Sequence, residues 1–441
     1  MKKIVLIMSC ITLALTTSSC DKFLDIEPKG KVIPKTVDDF RKLITSAYDA
    51  YPKHKSLATT RTDEVVLYTE ENTFLTSVRE IYRFNDQNAD NSTQEFPYES
   101  FYKIVFYANH ATLEGVKTME PGSAKEQLLA EYYALKAMAN FDLVNLYAKT
   151  YDKETAGHER GIVIENEVQI EEFKSPNTVA EVYAQIHSDI QRAKEHIQVD
   201  NYEVGKNYRF TRPAILALEA RVHLYQRNYE DALKSAEEAL TYKHQLQDLN
   251  QDNKTPVTSI TSVESILALE DALDGQFRNI AYVSKDLIQA YDQENDLRFT
   301  SYFSKSGDKL TVEKTGLKDR KVSFRTAELY MIKAEALVQL NRLAEAKEAL
   351  ESLIAKRYKS DAATKLLSKI SNFNQAQFLD FILEERFREF AFEGHRWFDL
   401  RRLNQKEIIH ELDGKVYRLV ENDIRYTLPF PKTAKQSNPN L

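Results

Sequence analysis

A mostly α-helical protein with few short strands is what this sequence predicts, and three observations predict it. Glycine and proline are scarce, eleven each in 441 residues, while Ala, Leu, Glu and Lys abound. That is the composition of helices rather than of turn-rich sheets. Helix-start signals recur: Thr36 stands before Val37-Asp38-Asp39, and Ser123-x-x-Glu126 and Thr178-x-x-Glu181 have the spacing of capping boxes. A helical-hairpin pattern also appears twice, 114 residues apart.

Taken in order, helices are predicted near 37–51, 97–118, 124–149, 179–197, 213–226, 229–241, 323–340, 343–357 and 374–393. Leu216-x3-Ala220-x8-Tyr229-x2-Ala232-x6-Ala239 has the spacing of a tetratricopeptide-like helix pair, with Asn228 at the turn. Tyr330-x3-Ala334-x8-Leu343-x2-Ala346 repeats its core. Small Ala lets two helices approach closely, and the large residue fills the gap near the turn. A third, weaker pair is expected to join Ala130–Tyr147 to Val179–Ile197 across an insertion. The pairs, near 124–197, 213–241 and 323–357, are not tandem. The expectation is one α-helical domain, residues 20–441, in which a repeat scaffold carries long inserted loops. Lys55–Glu95 and Leu246–Val263 are polar and lack helical periodicity, and loops of that length are usually functional or disordered.

The N-terminus reads as an export signal. Met1-Lys2-Lys3 is basic, Ile4–Leu15 is apolar but too short to span a bilayer, and Thr16–Cys20 is small and polar. A Cys at that place points to a signal peptide of residues 1–19 and acylation of Cys20, although Thr17 stands where a lipobox has Leu. Cys10 would leave with the leader, so the mature chain has one Cys and no internal disulfide. A Cys/His metal site is not expected, and no cofactor is implied. Removing Lys2 and Lys3 takes the 60 basic residues to 58 against 67 acidic ones, a net charge of −9. That excludes nucleic acid as a partner, since phosphate neutralisation needs a basic face.

The stretch Glu384–Arg402 alternates full charges with large aromatics and breaks at Gly394. Phe387, Phe390, Phe392, Trp397 and Phe398 spread round the helix and its continuation, so most sides must be covered. Glu385, Arg386, Glu389, Glu393, Arg396 and Asp399 are then expected to be buried in ion pairs, with Trp397 among them. We read this motif as structural rather than catalytic.

E-R-x-x-E-x-x-F-E-G-x-R-W-x-D-L-x-R, as it stands at 385–402, resembles the C-terminal signature of the SusD/RagB family of outer-membrane nutrient-binding lipoproteins. Four more landmarks follow the family order: Cys20-x-x-Phe23-Leu24-Asp25, the Ala- and aromatic-rich Glu131–Tyr147, Arg325-x-Ala327-Glu328-Leu329-Tyr330-x3-Ala334-Glu335-Ala336, and Leu428-Pro429-Phe430-Pro431 before Asn438-Pro439-Asn440-Leu441. The resemblance implies a SusD-like fold and a lipoprotein (palmitate-type acyl chains on Cys20) at the outer face of the outer membrane. It implies a SusC-like TonB-dependent transporter as partner, which the protein caps as a lid while capturing an oligomeric nutrient. Oligosaccharide is the expected ligand, peptide (as in RagB-like members) the alternative, and no catalysis is implied.

No family landmark covers 55–95 or 246–319, where ligand specificity is expected to reside. The one Trp sits in the structural motif, so a stacking platform must be Tyr or Phe. Tyr68, Phe74, Tyr82 and Phe84, then Tyr282, Tyr302 and Phe303, are the candidates. Tyr291, in Tyr291-x4-Asp296-x-Arg298, resembles family framework instead. A glycoside hydrolase would need paired carboxylates, sought among Asp63, Glu64, Glu70 and Glu71, but adjacent acids on a polar segment usually form a solvated face. A repeat adaptor binding only proteins is the other rival, and the lipoprotein start argues against it.

Overall fold

In the computed structural model, residues 34–67, 72–168, 172–251 and 254–441 are described. Cys20 and the signal segment, Tyr68, Glu70 and Glu71 lie outside them. Residues 36–441 form one compact unit. It is mostly helical, with four separate two-stranded antiparallel sheets. Among the described residues no helix is long and apolar enough to cross a membrane.

Thr36 caps the first helix of the described residues, Val37–Asp49, in a full capping box with Asp39, and the helix buries Phe40, Ile44, Ala47 and Tyr48 at helical spacing. Helix Ser123–Tyr147 is the centre of the fold. Ala130, Ala134, Ala137 and Ala139 on it are wholly buried, which lets neighbours approach its backbone, and helix Val179–His196 packs along it. Thr178 and Glu181 form the predicted box there. Ser123 and Glu126 do not. Gly122, at φ +148°, takes the cap position, Ser123 is already helical, and Glu126 pairs with His196 instead.

The repeat is explicit in the backbone. Helices Arg212–Tyr225 and Tyr229–Tyr242 form one hairpin, and Thr326–Gln339 and Leu343–Arg357 another. Ala220 and Ala232 in the first, and Ala334 and Ala346 in the second, are fully buried at the helix contacts. Each turn passes through one left-handed residue, Arg227 (φ 59°) and Asn341 (φ 58°), at equivalent places in the repeat. Helix Tyr229–Tyr242 packs on Thr326–Gln339, so the hairpins stack.

Three expected elements differ. The helix near 97–118 is Glu99–Asn109 continued by a π-helical stretch, His110–Gly115. The helix predicted to 393 spans Gln375–Glu389; Phe392 and Gly394 take φ 57° and 78°, and a new helix, Arg396–Leu403, follows. Gly394 is required there, because a Cβ would lie 2.5 Å from Cβ of Lys55. Within 55–95, read as aperiodic, helices His54–Thr59 and Thr73–Tyr82 form; Asn72 caps the second, and Leu75, Val78 and Ile81 are its buried stripe. That stripe is short and interrupted by polar residues, so tertiary packing rather than pattern makes the helix.

The strands are β1 (Val65–Leu67), β2 (Ser265–Leu267), β3 (Ala281–Val283), β4 (Phe303–Ser306), β5 (Lys309–Val312), β6 (Phe324–Arg325), β7 (Ile408–Leu412) and β8 (Lys415–Leu419). They pair β1–β3, β2–β6, β4–β5 and β7–β8. β1 and β3 pair with Val65 opposite Val283 and Val66 opposite Tyr282.

Candidate functional site

The charged motif closes on itself inside the molecule. Glu389 accepts from Arg298 (2.9 Å), Arg325 (2.7 Å) and Arg357 (3.0 Å), all fully buried or nearly so. Glu264 joins Arg325 and Arg357, Glu393 joins Arg325 and Lys314, and Glu385 joins Arg298 and Arg388. In a second cluster Asp399 accepts from Arg386 and Arg402, and Arg402 also reaches Glu335. Burial acts to raise the pKa of Glu389, but the charges of Arg357, Arg325 and Arg298 outweigh it and hold the group well below the carboxylate range. Trp397 is fully buried, stacked on Tyr426 at 5.0 Å with the Arg61 guanidinium 4.7 Å from its ring centroid.

Asp63 and Glu64, weighed as hydrolase carboxylates, are also interior. Asp63 pairs with Arg396 and Lys406, each at 2.7 Å. Glu64 accepts the Phe392 N–H at 3.0 Å and the Thr62 hydroxyl at 3.2 Å. Burial, opposed by the Phe392 N–H and reinforced by the Asp63 charge, pushes Glu64 up to about 8.

Of the aromatic candidates, four are packing residues, contrary to expectation. Tyr82 and Phe84 are each 1% exposed and sandwich the His410 imidazole, with centroids at 3.9 and 4.7 Å. Tyr302 is 1% exposed beneath the Lys314 ammonium, and Phe303 is 5% exposed against Tyr291 and Phe392. Sequence alone hid them because side chains that cover them, His410 over Tyr82 and Phe84 and Phe392 beside Phe303, come from distant segments. Phe74 and Tyr282 remain half-exposed.

Tyr282 lies on an outer face assembled from both regions that lack family landmarks. β1 brings Val66, 39% exposed, beside it, and β5, packed against β3, places the Lys309 ammonium 4.5 Å from its ring centroid. The anchorage under this face is firm: the Ser284 N–H donates to the Glu64 carbonyl, and the Ser284 hydroxyl to that of Asp63. An amphipathic ring on a rigid ribbon, flanked by an aliphatic and an ammonium group, can stack on an apolar ring face while its edge stays wet.

Sequence reasoning missed a second concavity. The 85–96 loop and the terminal Leu428–Gln436 segment enclose about 760 Å³, with Phe96, Phe430 and Pro431 beside Asp90, Asn91 and Lys432. That volume suits a small ligand. The Thr433 hydroxyl and the Lys432 N–H both donate to Glu95, joining the walls. Two further clefts, about 620 and 350 Å³, adjoin at His244 and Gln245, just before the loop expected to be exposed at 246–263, and at Ser262 within it. That loop is partly buried instead, through Gln247, Val257 and Thr258.

With the ion-pair motif and its helical frame in place, comparison with known proteins becomes decisive: residues 180–441 match the SusD family. The chain belongs to the SusD family. Residues 22–224 of this SusD-family protein also match a second family, described as starch-binding associating with outer membrane. It is 23% identical to SusD-like protein P38 of Formosa agariphila, across 94% of this chain and 93% of the relative. A solved SusD superfamily protein from Bacteroides fragilis superposes with a TM-score of 0.77 at 20% identity, covering 93% of this chain and all of the other (100%). A SusD-like carbohydrate binding protein from Bacteroides vulgatus gives 0.73 at 17%, covering 92% and 98%. At these identities the structural likeness is one of fold.

Proposed function

We propose that this protein binds an oligosaccharide at the surface of the outer membrane and delivers it to a SusC-like TonB-dependent transporter, for which it acts as a lid. One observation carries the reading. The two regions without family landmarks are joined by the β1–β3 ribbon, whose outer face presents Val66 and Tyr282 beside Lys309. The starch-binding, outer-membrane description of the family matched over 22–224 supports glycan as the ligand class, and so does the carbohydrate-binding relative of like fold. Delivery would need no chemistry at the lid, only a different glycan affinity in its open and closed arrangements. Acylation of Cys20 would supply the anchor.

The test is a glycan and oligopeptide binding screen of the chain without its leader, followed by calorimetric titration of the wild type and of Tyr282→Ala. Glycan binding that weakens in the variant supports the reading; binding of peptides alone overturns it. Metabolic labelling with a fatty-acid analogue tests the anchor: Cys20→Ala should lose the label, and unchanged labelling would sink lipidation at that residue.

A further inference from the structure

Beneath the surface, three chemically distinct ligand groups converge from distant parts of the chain. His54 opens the short helix at 54–59, Asp142 comes from the central helix, and Glu270 follows β2. They are 0, 6 and 4% exposed. One imidazole nitrogen and one carboxylate oxygen from each acid all lie within 4.8 Å of one another.

The hydrogen bonds around them single out the open atoms. His54 Nδ1 is 3.3 Å from the Pro52 carbonyl, an acceptor only, so a neutral ring donates there and carries its lone pair on Nε2. Nε2 has no hydrogen bond; Asp142 Oδ2, at 3.6 Å, is too far for one. Glu270 Oε1 is likewise buried without a donor. A lone pair and two acids thus face one another in the interior, and the Lys55 ammonium in contact with Glu270 leaves Nε2 and Oε1 without a partner. The Tyr51 hydroxyl donates to Asp142 Oδ2 at 2.6 Å and orients that acid, while the Lys55 ammonium, on Glu270 Oε2 at 2.8 Å, competes with a metal ion for the other. A backbone carbonyl on the far nitrogen of the imidazole and hydrogen bonds on the carboxylates are what orient the ligands of metal sites. A cavity of about 10 Å³, about the room one water needs, borders Asp142 and Lys55 but neither His54 nor Glu270.

We infer that His54, Asp142 and Glu270 form a buried site for a single divalent transition-metal ion, zinc by ligand class, with water as fourth ligand. Imidazole with two carboxylates suits zinc, whereas calcium and magnesium take oxygen alone. The residues are 88 and 128 positions apart, beyond any spacing rule, so no sequence pattern marks the site. The site is independent of the glycan reading.

The test is metal content and titration of the chelator-stripped chain with Zn²⁺, read by mass spectrometry and thermal melting. Expected are one equivalent bound, a higher melting temperature, and, with Co²⁺ instead, visible absorption of a four-coordinate ion. His54→Gln and Glu270→Gln should each lose the equivalent. Lys55→Met, which removes the competing ammonium, should bind at least about tenfold more tightly, since one neighbouring charge is worth more than 1.4 kcal/mol in a dry site. No stoichiometric metal in either wild type or folded Lys55→Met would overturn the inference and make His54 an imidazolium between the two acids. Zinc retained by folded His54→Gln would overturn it as well.

Discussion

Rings and charges occur together both around Glu389 and on the outer face around Tyr282, and what separates the two regions is how far they are covered. Around Glu389 three guanidiniums converge on one carboxylate, and Phe390 lies under one of them, Arg325, and under Arg386, with its ring centroid at 4.9 and 5.1 Å. Every such contact stays as it is whether or not a ligand is near. At Tyr282 the Lys309 ammonium approaches the ring, the ring itself is partly exposed, and Val66 beside it is 39% exposed. The same residue types hold the fold in one place and, under the proposed reading, meet ligand in the other. Aromatic content alone does not distinguish them; coverage does.

The largest expected effect breaks the saturated region. Glu389→Ala leaves Arg298, Arg325 and Arg357 facing one another in a dry interior, a loss of roughly 3–5 kcal/mol by the rule for breaking buried ion pairs. Denaturant unfolding measures it. On the other face Val66→Ala should stay within about 0.5–1 kcal/mol, because a partly exposed methyl pair loses little buried area. Similar losses for the two variants would erase the contrast.

The next effect is one of pH. Glu64 sits at about 8, against 4.5 for the free side chain, so the fold holds a proton that the unfolded chain releases. Its contribution is therefore full at low pH and falls as pH rises from about 4.5 toward 8. Asp63 runs the other way: burial would raise it, but Arg396 and Lys406 hold it well below its ordinary 3.8, so its stabilisation is present above that value and lost as pH falls below about 4. Glu64→Gln should gain on wild type by up to roughly 3 kcal/mol between pH 5 and 8, at about 1.4 kcal/mol per unit. A difference between the two proteins that is constant over that range would show that Glu64 titrates normally.

Arg396 stands between the two regions. The motif in sequence ranks it with the interior arginines, yet its partner Asp63 keeps a second cation, Lys406 at 2.7 Å, when it is removed. Arg396→Ala should cost about 2 kcal/mol, including its stacking 3.9 Å from the Phe387 centroid. Lys406→Ala should cost under about 1 kcal/mol, as the side chain is 43% exposed. The double variant should lose more than the two single losses combined, since only then is Asp63 unpaired. Strict additivity would show that the carboxylate finds another partner.

What the sequence made legible follows from range of interaction. The Ala-x-large pattern of the hairpins is local, so the second helix of the second hairpin appears at Leu343–Arg357 with the predicted bounds and both turns recur in the backbone. The burial of Glu385–Arg402 was legible because full charges among five rings leave no dry alternative to pairing. The partners were not: Arg298, Arg357 and Glu264 come from other segments and carry no mark of the contact. Tyr82 and Phe84 failed as platform candidates for that reason, since His410, more than 300 residues away, covers them. Tyr282 kept its place because strand alternation turns it outward while Ala281 and Val283 point in.

The smallest effect sharpens the comparison most. If the Tyr282 ring is a platform, its apolar area is buried only when ligand arrives, so its loss should be felt in the complex and scarcely in the fold. Tyr282→Ala should weaken glycan binding several-fold, about 0.5–1.5 kcal/mol for one stacking contact, with the melting temperature nearly unchanged. Tyr282→Phe should keep most of the affinity, because the ring face rather than the hydroxyl makes the contact. Tyr302→Ala is the control from the covered class: it should melt early, since it empties a fully buried site beneath Lys314, and its folded fraction should bind as wild type does. If instead Tyr282→Ala melts early and binds normally per folded molecule, the ring belongs with the covered set. The search for the platform then moves to Phe74 and to the cavity walled by Phe96 and Phe430.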